Sequence, residues 1–288
     1  MNPVLGGGLT ALGWGTADFV ARFTGTALGH VTALFAMLGT SAAVMSAIVW
    51  WLGIELPAPG PAWWPILLMG LGLMLATMLL YQGLVRGPVT VVAPIVGSFP
   101  AFNLALALVL GARPALLEWL AMLAVMAGVI TVARAARHFE REARYAREHL
   151  RATIWISIAS AALFALTVAA GQEAALRFGE LEAVCAARWV SFACCALMLA
   201  ARREMPRVGL RWWPVVVCQG LLDGGAYLAL VSASEGPASA LTAVVASTFS
   251  AVTVVLARVV MREGMSWAQW GGVALILGGV AGLSWLRG

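Results

Sequence analysis

Apolar residues run in long blocks along this chain, separated by short links rich in glycine, proline and arginine. A helix needs about 20 apolar residues to cross a hydrocarbon core. Windows of that length fall at 4–21, 31–53, 63–84, 88–110, 115–133, 152–175, 182–201, 212–233, 237–259 and 267–286. The pattern predicts an all-α polytopic membrane protein with ten transmembrane helices. Met1 to Pro3 carry no basic region of the kind that opens a cleaved signal, so the first span is expected to be retained.

The one long link is Arg134 to Arg151. Its arginines, at 134, 137, 141, 144, 147 and 151, are three or four residues apart and share one helical face. Glu140 stands one turn before Arg144, which supports a helix. Two readings are open: a surface helix against anionic lipid headgroups, or a solvated connector. Both put residues 135–151 in the cytoplasm, between a first five-helix unit (1–134) and a second (152–288).

The two units repeat one another. Trp63-Trp64-Pro65 returns as Trp212-Trp213-Pro214, and Gly87-Pro88 as Gly236-Pro237, both at an offset of 149. Ser98 falls opposite Ser247 in that register, while Trp119 meets Trp270 at an offset of 151, which implies a two-residue slip in the fourth helix of one unit. Trp14 lies opposite Phe164. An odd number of helices per unit makes the units run in opposite senses. Inverted repeats of this kind commonly build transporters with a central midplane cavity between the halves.

Composition narrows the chemistry. The chain is 62% hydrophobic and 11% charged, against about 25% charged in soluble domains. All 18 basic residues are arginine. Without lysine there is no Walker-A phosphate loop and no Schiff base. His30, His138 and His149 are scattered, and Cys185, Cys194, Cys195 and Cys218 lie inside apolar runs as packing residues. No metal, no cofactor and no enzymatic activity are expected. The net charge of +5 could suggest nucleic acid, but the arginines line a membrane face instead. In a ten-span arrangement 14 arginines fall on one side, including Arg202, Arg203, Arg207, Arg211 and Arg258, and three (Arg113, Arg177, Arg287) on the other. The arginine-rich side is then cytoplasmic, with both termini outside. A multi-pass monomer of the cell inner membrane is expected.

Several motifs resemble those of the EamA-type family of the drug/metabolite transporter superfamily. They are Leu12-Gly13-Trp14-Gly15, Gly87-Pro88, Met261-Arg262-Glu263 and Gly278-Gly279-Val280. Ala112 departs from the usual Gly-Glu-Arg at Gly111-Ala112-Arg113, and Arg188 matches a family arginine where the first unit has Leu38. The resemblance covers the whole chain. It implies two five-helix units forming a secondary carrier of small metabolites, often an exporter, with YddG-like aromatic amino-acid exporters as one branch. Family members more often keep their termini inside; the arginine count of this chain argues the reverse. The resemblance and the aromatic content together favour export of amino acids with apolar or aromatic side chains by alternating access. Another metabolite or a drug-like compound is the alternative, with a channel or a scaffold behind it.

Charged residues at membrane depth are costly, by about 2.5–3.5 kcal/mol each on insertion scales. Asp223, near the middle of the eighth span, either meets a substrate amine or carries a proton, or else forms a structural ion pair with Arg188. Asp18 with Arg22, and Glu173 with Arg177, are spaced for local ion pairs at helix ends. Trp14, Tyr81, Phe99, Phe102, Phe164, Trp189 and Tyr227 could wall an apolar pocket. Gln82, Ser98, Asn103 and Gln219 could add polar groups. Trp50, Trp51, Trp63, Trp64, Trp212, Trp213 and Trp285 flank spans as an interfacial belt. Pro94, Gly97 and Pro100 mark a possible hinge in the fourth helix.

Overall fold

The computed structural model describes residues 2–109, 115–135, 147–233, 242 and 245–287. Among these every regular element is a helix. In the first repeat come α1 (Pro3–Leu28), α2 (His30–Trp51), α3 (Trp64–Arg86), α4 (Val89–Gly97), α5 (Phe99–Val109) and α6 (Leu116–Ala135). In the second come α7 (Arg147–Phe178), α8 (Glu180–Ala201), α9 (Trp213–Ala233), α10 (Phe249–Val260) and α11 (Trp267–Arg287).

Seven described segments are long and apolar enough to cross a membrane. They correspond to α2, α3, α4 with α5, α6, α7, α8 and α9. α1 is not one of them, although it has 26 residues. Phe249–Val260 and Trp267–Leu283 are shorter apolar helices. α7 is longer than its predicted span and begins at Arg147, inside the arginine-rich link. Arg137, Arg141 and Arg144 lie outside the described residues, as do Arg113, Gly236 and Pro237.

Local geometry repeats between the two halves at offsets of 149 or 150 residues. Asn2 caps α1, its side-chain oxygen accepting from Val4 N at 2.9 Å and Leu5 N at 3.3 Å. α1 passes to α2 through Gly29 at φ 84°, and α7 passes to α8 through Gly179 at φ 92°. A left-handed residue lets one helix stop and the next start without a linker, and glycine adopts it without a Cβ clash. α2 ends at Gly53 (φ 67°) and α8 at Arg203 (φ 55°), with equivalent backbone bonds around each. A single 3-10 turn, Pro61–Trp63 or Leu210–Trp212, opens α3 and α9.

The fourth helix is broken rather than bent. α4 ends at Gly97, and Ser98 folds back to donate from Oγ to Ile95 O at 2.6 Å. Thr248 precedes α10 in the same way, donating from Oγ1 to Val245 O at 2.7 Å. The structural mate of Ser98 is therefore Thr248, not Ser247, and Phe99 pairs with Phe249. Half of the predicted two-residue slip has been taken up by this point. A hydroxyl that returns to its own backbone satisfies the carbonyl a helix break leaves free.

Packing between the repeats is reciprocal. α1 lies on α9 as α7 lies on α3; α1 also meets α10 as α7 meets α5. α2 and α8 pack together, and so do α6 and α11. The α6–α11 contact depends on glycine. A Cβ on Gly128 would sit 2.6 Å from Gly272 O, and one on Gly279 would sit 2.7 Å from Ala121 O. Small residues let helices in lipid approach closely enough for dispersion to hold them. Gly279→Val should destabilise the protein by ~1–3 kcal/mol through overpacking, read as a lower melting temperature in detergent, whereas Gly278→Val, whose Cβ meets open space, should not.

Candidate functional site

A cavity of about 230 Å³ lies between the repeats. Its aromatic wall is built twice. Trp14 of α1 stands edge-on to Phe249 of α10, and Phe164 of α7 is tilted against Phe99 of α5, each pair with ring centroids 6.2 Å apart. Each pair joins one repeat to the other. The break before Phe99 and Phe249 aims both rings inward, because it starts a new helix beside the chamber.

Three side chains of the charged residue types also face the cavity: Asp18, Arg188 and Asp223. Arg188 of α8 is nearly buried and pairs with Asp223 of α9. Ser41 of α2 donates to the same Asp223 oxygen at 2.7 Å. The ion pair weighed from sequence is present, and it stands in the cavity wall. Arg188 Nε is buried and has no hydrogen-bond partner among the described residues.

Asp18 corrects an expectation. It does not pair with Arg22, which donates instead to the carbonyls of Leu84, Val85 and Gly87 at the end of α3. A cation beside exposed C-terminal carbonyls is favoured by the helix dipole. Asp18 is left facing the cavity with no hydrogen bond or ion pair among the described residues. The expected Glu173–Arg177 pair does form, at 2.6 Å, and Arg177 also covers the Trp64 ring.

Beneath the cavity, toward the arginine-rich helix ends, lies a polar floor. Gln219 is 1% exposed; its Nε2 donates to Tyr81 Oη at 2.5 Å and to Ala17 O at 3.1 Å. Thr24 Oγ1 donates to Gln219 Oε1 at 3.3 Å. This set ties α1, α3 and α9 together. Below it, Glu263 caps α4, accepting from Val89 N at 3.0 Å and from Thr90 N and Oγ1 at 2.9 Å each. His149 Nε2 lies 2.8 Å from Arg86 O.

The other end is wider. A second space of about 630 Å³ shares Trp14, Phe99, Tyr227 and Phe249 with the first and extends to Asn103, Gln172 and Glu180. His149, in the first turn of α7, lies beside Arg86, so Gln172 stands about 35 Å away along the helix. The cavity therefore widens away from the arginine-rich face.

Of the residues nominated from sequence, Trp14, Tyr81, Phe99, Phe164, Asp223 and Tyr227 line the central cavity. Asn103 and Pro100 line the wider part. Gln219 sits in the floor. Ser98 is buried in the helix break, and Gln82 and Phe102 line neither space. Trp189 is 44% exposed on the outer surface, donating to Ser46 Oγ at 2.9 Å. Of the hinge residues, Pro94 lies inside α4, Gly97 ends it, and Pro100 sits in the first turn of α5, where a missing N–H costs little. Phe249 and Ser41 were not nominated. The register of the repeat could have found Phe249, as the mate of Phe99.

The EamA-like transporter family matches residues 2–134 and 151–285, one copy in each repeat. A search of curated proteins gives no match. One solved structure, described only as a crystal structure of a protein, covers 97% of this chain and 95% of its own at 19% identity, with a TM-score of 0.65. That likeness speaks to the fold.

Breaking a buried ion pair from one side leaves an uncompensated charge. Arg188→Met should cost ~3–5 kcal/mol, read as a lower melting temperature, and Arg188→Met with Asp223→Leu should recover most of it. A single variant that melts like the parent protein would contradict the buried pair.

Proposed function

The chain belongs to the EamA-like transporter family, and on that premise we propose that it exports amino acids with apolar or aromatic side chains. The observation that carries the reading is the free chemistry of the cavity. Asp18, a carboxylate with no partner among the described residues, and the Arg188–Asp223 pair line one chamber between aromatic walls. A zwitterion would set its ammonium on Asp18 and its carboxylate beside the Arg188 guanidinium. The aromatic pairs suit an apolar side chain. The volume supports a small solute, since drug-sized ligands need pockets of about 300–1,000 Å³.

In this reading ten spans form two inverted five-helix repeats, at 1–134 and 152–288, in the cell inner membrane. The arginine-rich face is cytoplasmic and the termini are outside. The structure then corresponds to an outward-open state, closed on the cytoplasmic side by Tyr81, Gln219 and Thr24. Transport rocks one repeat against the other, so that the floor opens as the wide end closes. The breaks at Ser98 and Thr248 are the hinges, replacing the single proline kink.

A second reading has one observation in its favour. Arg188 is already tied to Asp223, so a lipophilic amine without a carboxylate could use Asp18 alone.

Counterflow in proteoliposomes separates these readings from a channel or scaffold. Preloaded unlabelled phenylalanine should accelerate uptake of labelled phenylalanine, and Trp14→Ala should weaken its apparent affinity by up to about tenfold, in line with ~0.5–1.5 kcal/mol for a lost aromatic contact. Counterflow with phenethylamine but not phenylalanine would select the amine reading, and none with either would overturn the carrier.

A further inference from the structure

At the corner between α3 and α4 one helix ends and another begins. The carbonyls that close α3 and the amides that open α4 carry opposite partial charges. Each set is answered by a side chain of the matching sign. Arg22 of α1 donates to the carbonyls of Leu84, Val85 and Gly87. Glu263, between α10 and α11, accepts from Val89 N at 3.0 Å and from Thr90 N and Oγ1 at 2.9 Å each. Its side chain is buried, and Arg258 donates to its backbone carbonyl at 3.1 Å. The two contacts differ in reach. Arg22 braces a corner of its own repeat. Glu263 crosses from the second repeat to the first, beside the packing of α4 on α10.

This corner lies at the arginine-rich end, where the cavity is closed. The sequence does not repeat its charges. In the register that sets Phe164 opposite Trp14 and Gly179 opposite Gly29, Gln172 takes the place of Arg22. In the register that sets Trp270 opposite Trp119, Ala112 takes the place of Glu263. Neither is charged, although Gly236-Pro237 repeats Gly87-Pro88.

A hydrogen bond to an ionised carboxylate is about twice as strong as one between neutral groups, and a helix N-terminus favours negative charge. Rocking the repeats open at the arginine-rich end parts α4 from α10 and lifts Glu263 off α4. Ala112 has no carboxylate with which to make the equivalent contact when the other end shuts. We infer that Glu263 is a gate-positioning residue: it latches the arginine-rich end shut, and because the latch has no repeat mate, the state open at the wide end is the resting one. Arg22 supports the latch by holding the corner onto which it closes. The inference rests on the carrier reading above and adds what sets the resting direction of its gate.

The test is amide hydrogen exchange on the purified full-length protein in lipid nanodiscs, read at both ends of the cavity. Glu263→Gln should raise exchange by about tenfold in the floor, at residues 216–222, and lower it in the walls of the wide end, at residues 99–106 and 164–175, because one population grows as the other falls. Mere loosening of the bundle would raise exchange at both ends. Ala112→Glu puts a carboxylate in the register of Glu263. It should shift each end in the same direction as Glu263→Gln does, which keeps the test decisive if that variant fails to fold. Faster exchange at both ends in Glu263→Gln, or an unchanged pattern in Ala112→Glu, overturns the inference alone. Absence of counterflow by the unmodified protein removes the carrier reading on which it rests.

Discussion

Charge inside hydrocarbon must be answered, and this structure is arranged around how it is answered. Arg188 and Asp223 neutralise one another in the cavity wall, with Ser41 completing the carboxylate. That contact joins α8, α9 and α2 at the level of the chamber. Buried pairs of this kind seldom add net stability over apolar packing. They do fix where a polar surface can exist inside an apolar bundle. With Arg188 committed to Asp223, Asp18 is left facing the cavity without a partner among the described residues.

Backbone and side chains obey different symmetry. The helix ends at Gly29 and Gly179, the turns at Gly53 and Arg203, the breaks at Ser98 and Thr248, and the two aromatic pairs are all duplicated. The charges are not. Leu38 occupies the place that Arg188 fills in the other repeat, and Val168 answers Asp18 as Phe164 answers Trp14. In the proposed carrier, a duplicated scaffold would supply two packings of similar energy, and a one-sided set of charges would give the solute a single orientation within it.

Much of this was legible in the sequence. Hydropathy located the helices, and the Trp-Trp-Pro repeat gave a register within one residue of the structural one. Trp14, Tyr81, Phe164 and Tyr227, named from their place within spans, line the central cavity, because polar or aromatic groups at mid-span have few places to go. Asp18 was misjudged because i, i+4 spacing makes a pair with Arg22 possible but cannot show a competitor. Three carbonyls at the end of α3 hold that arginine instead. Trp189 was misjudged because a helix of uniform hydropathy does not reveal which face meets lipid. The floor of Gln219, Tyr81 and Thr24 joins residues up to 195 positions apart, a contact no local pattern contains.

The central claim is that this chamber seats a solute between Asp18 and Arg188. An experimental structure of the protein with an aromatic amino acid bound tests it most directly. The account predicts solute density in the central cavity, with its nitrogen within about 3 Å of the Asp18 carboxylate and its side chain between the Trp14–Phe249 and Phe99–Phe164 pairs. Solute density seated elsewhere, with Asp18 engaged by a protein side chain, would contradict it.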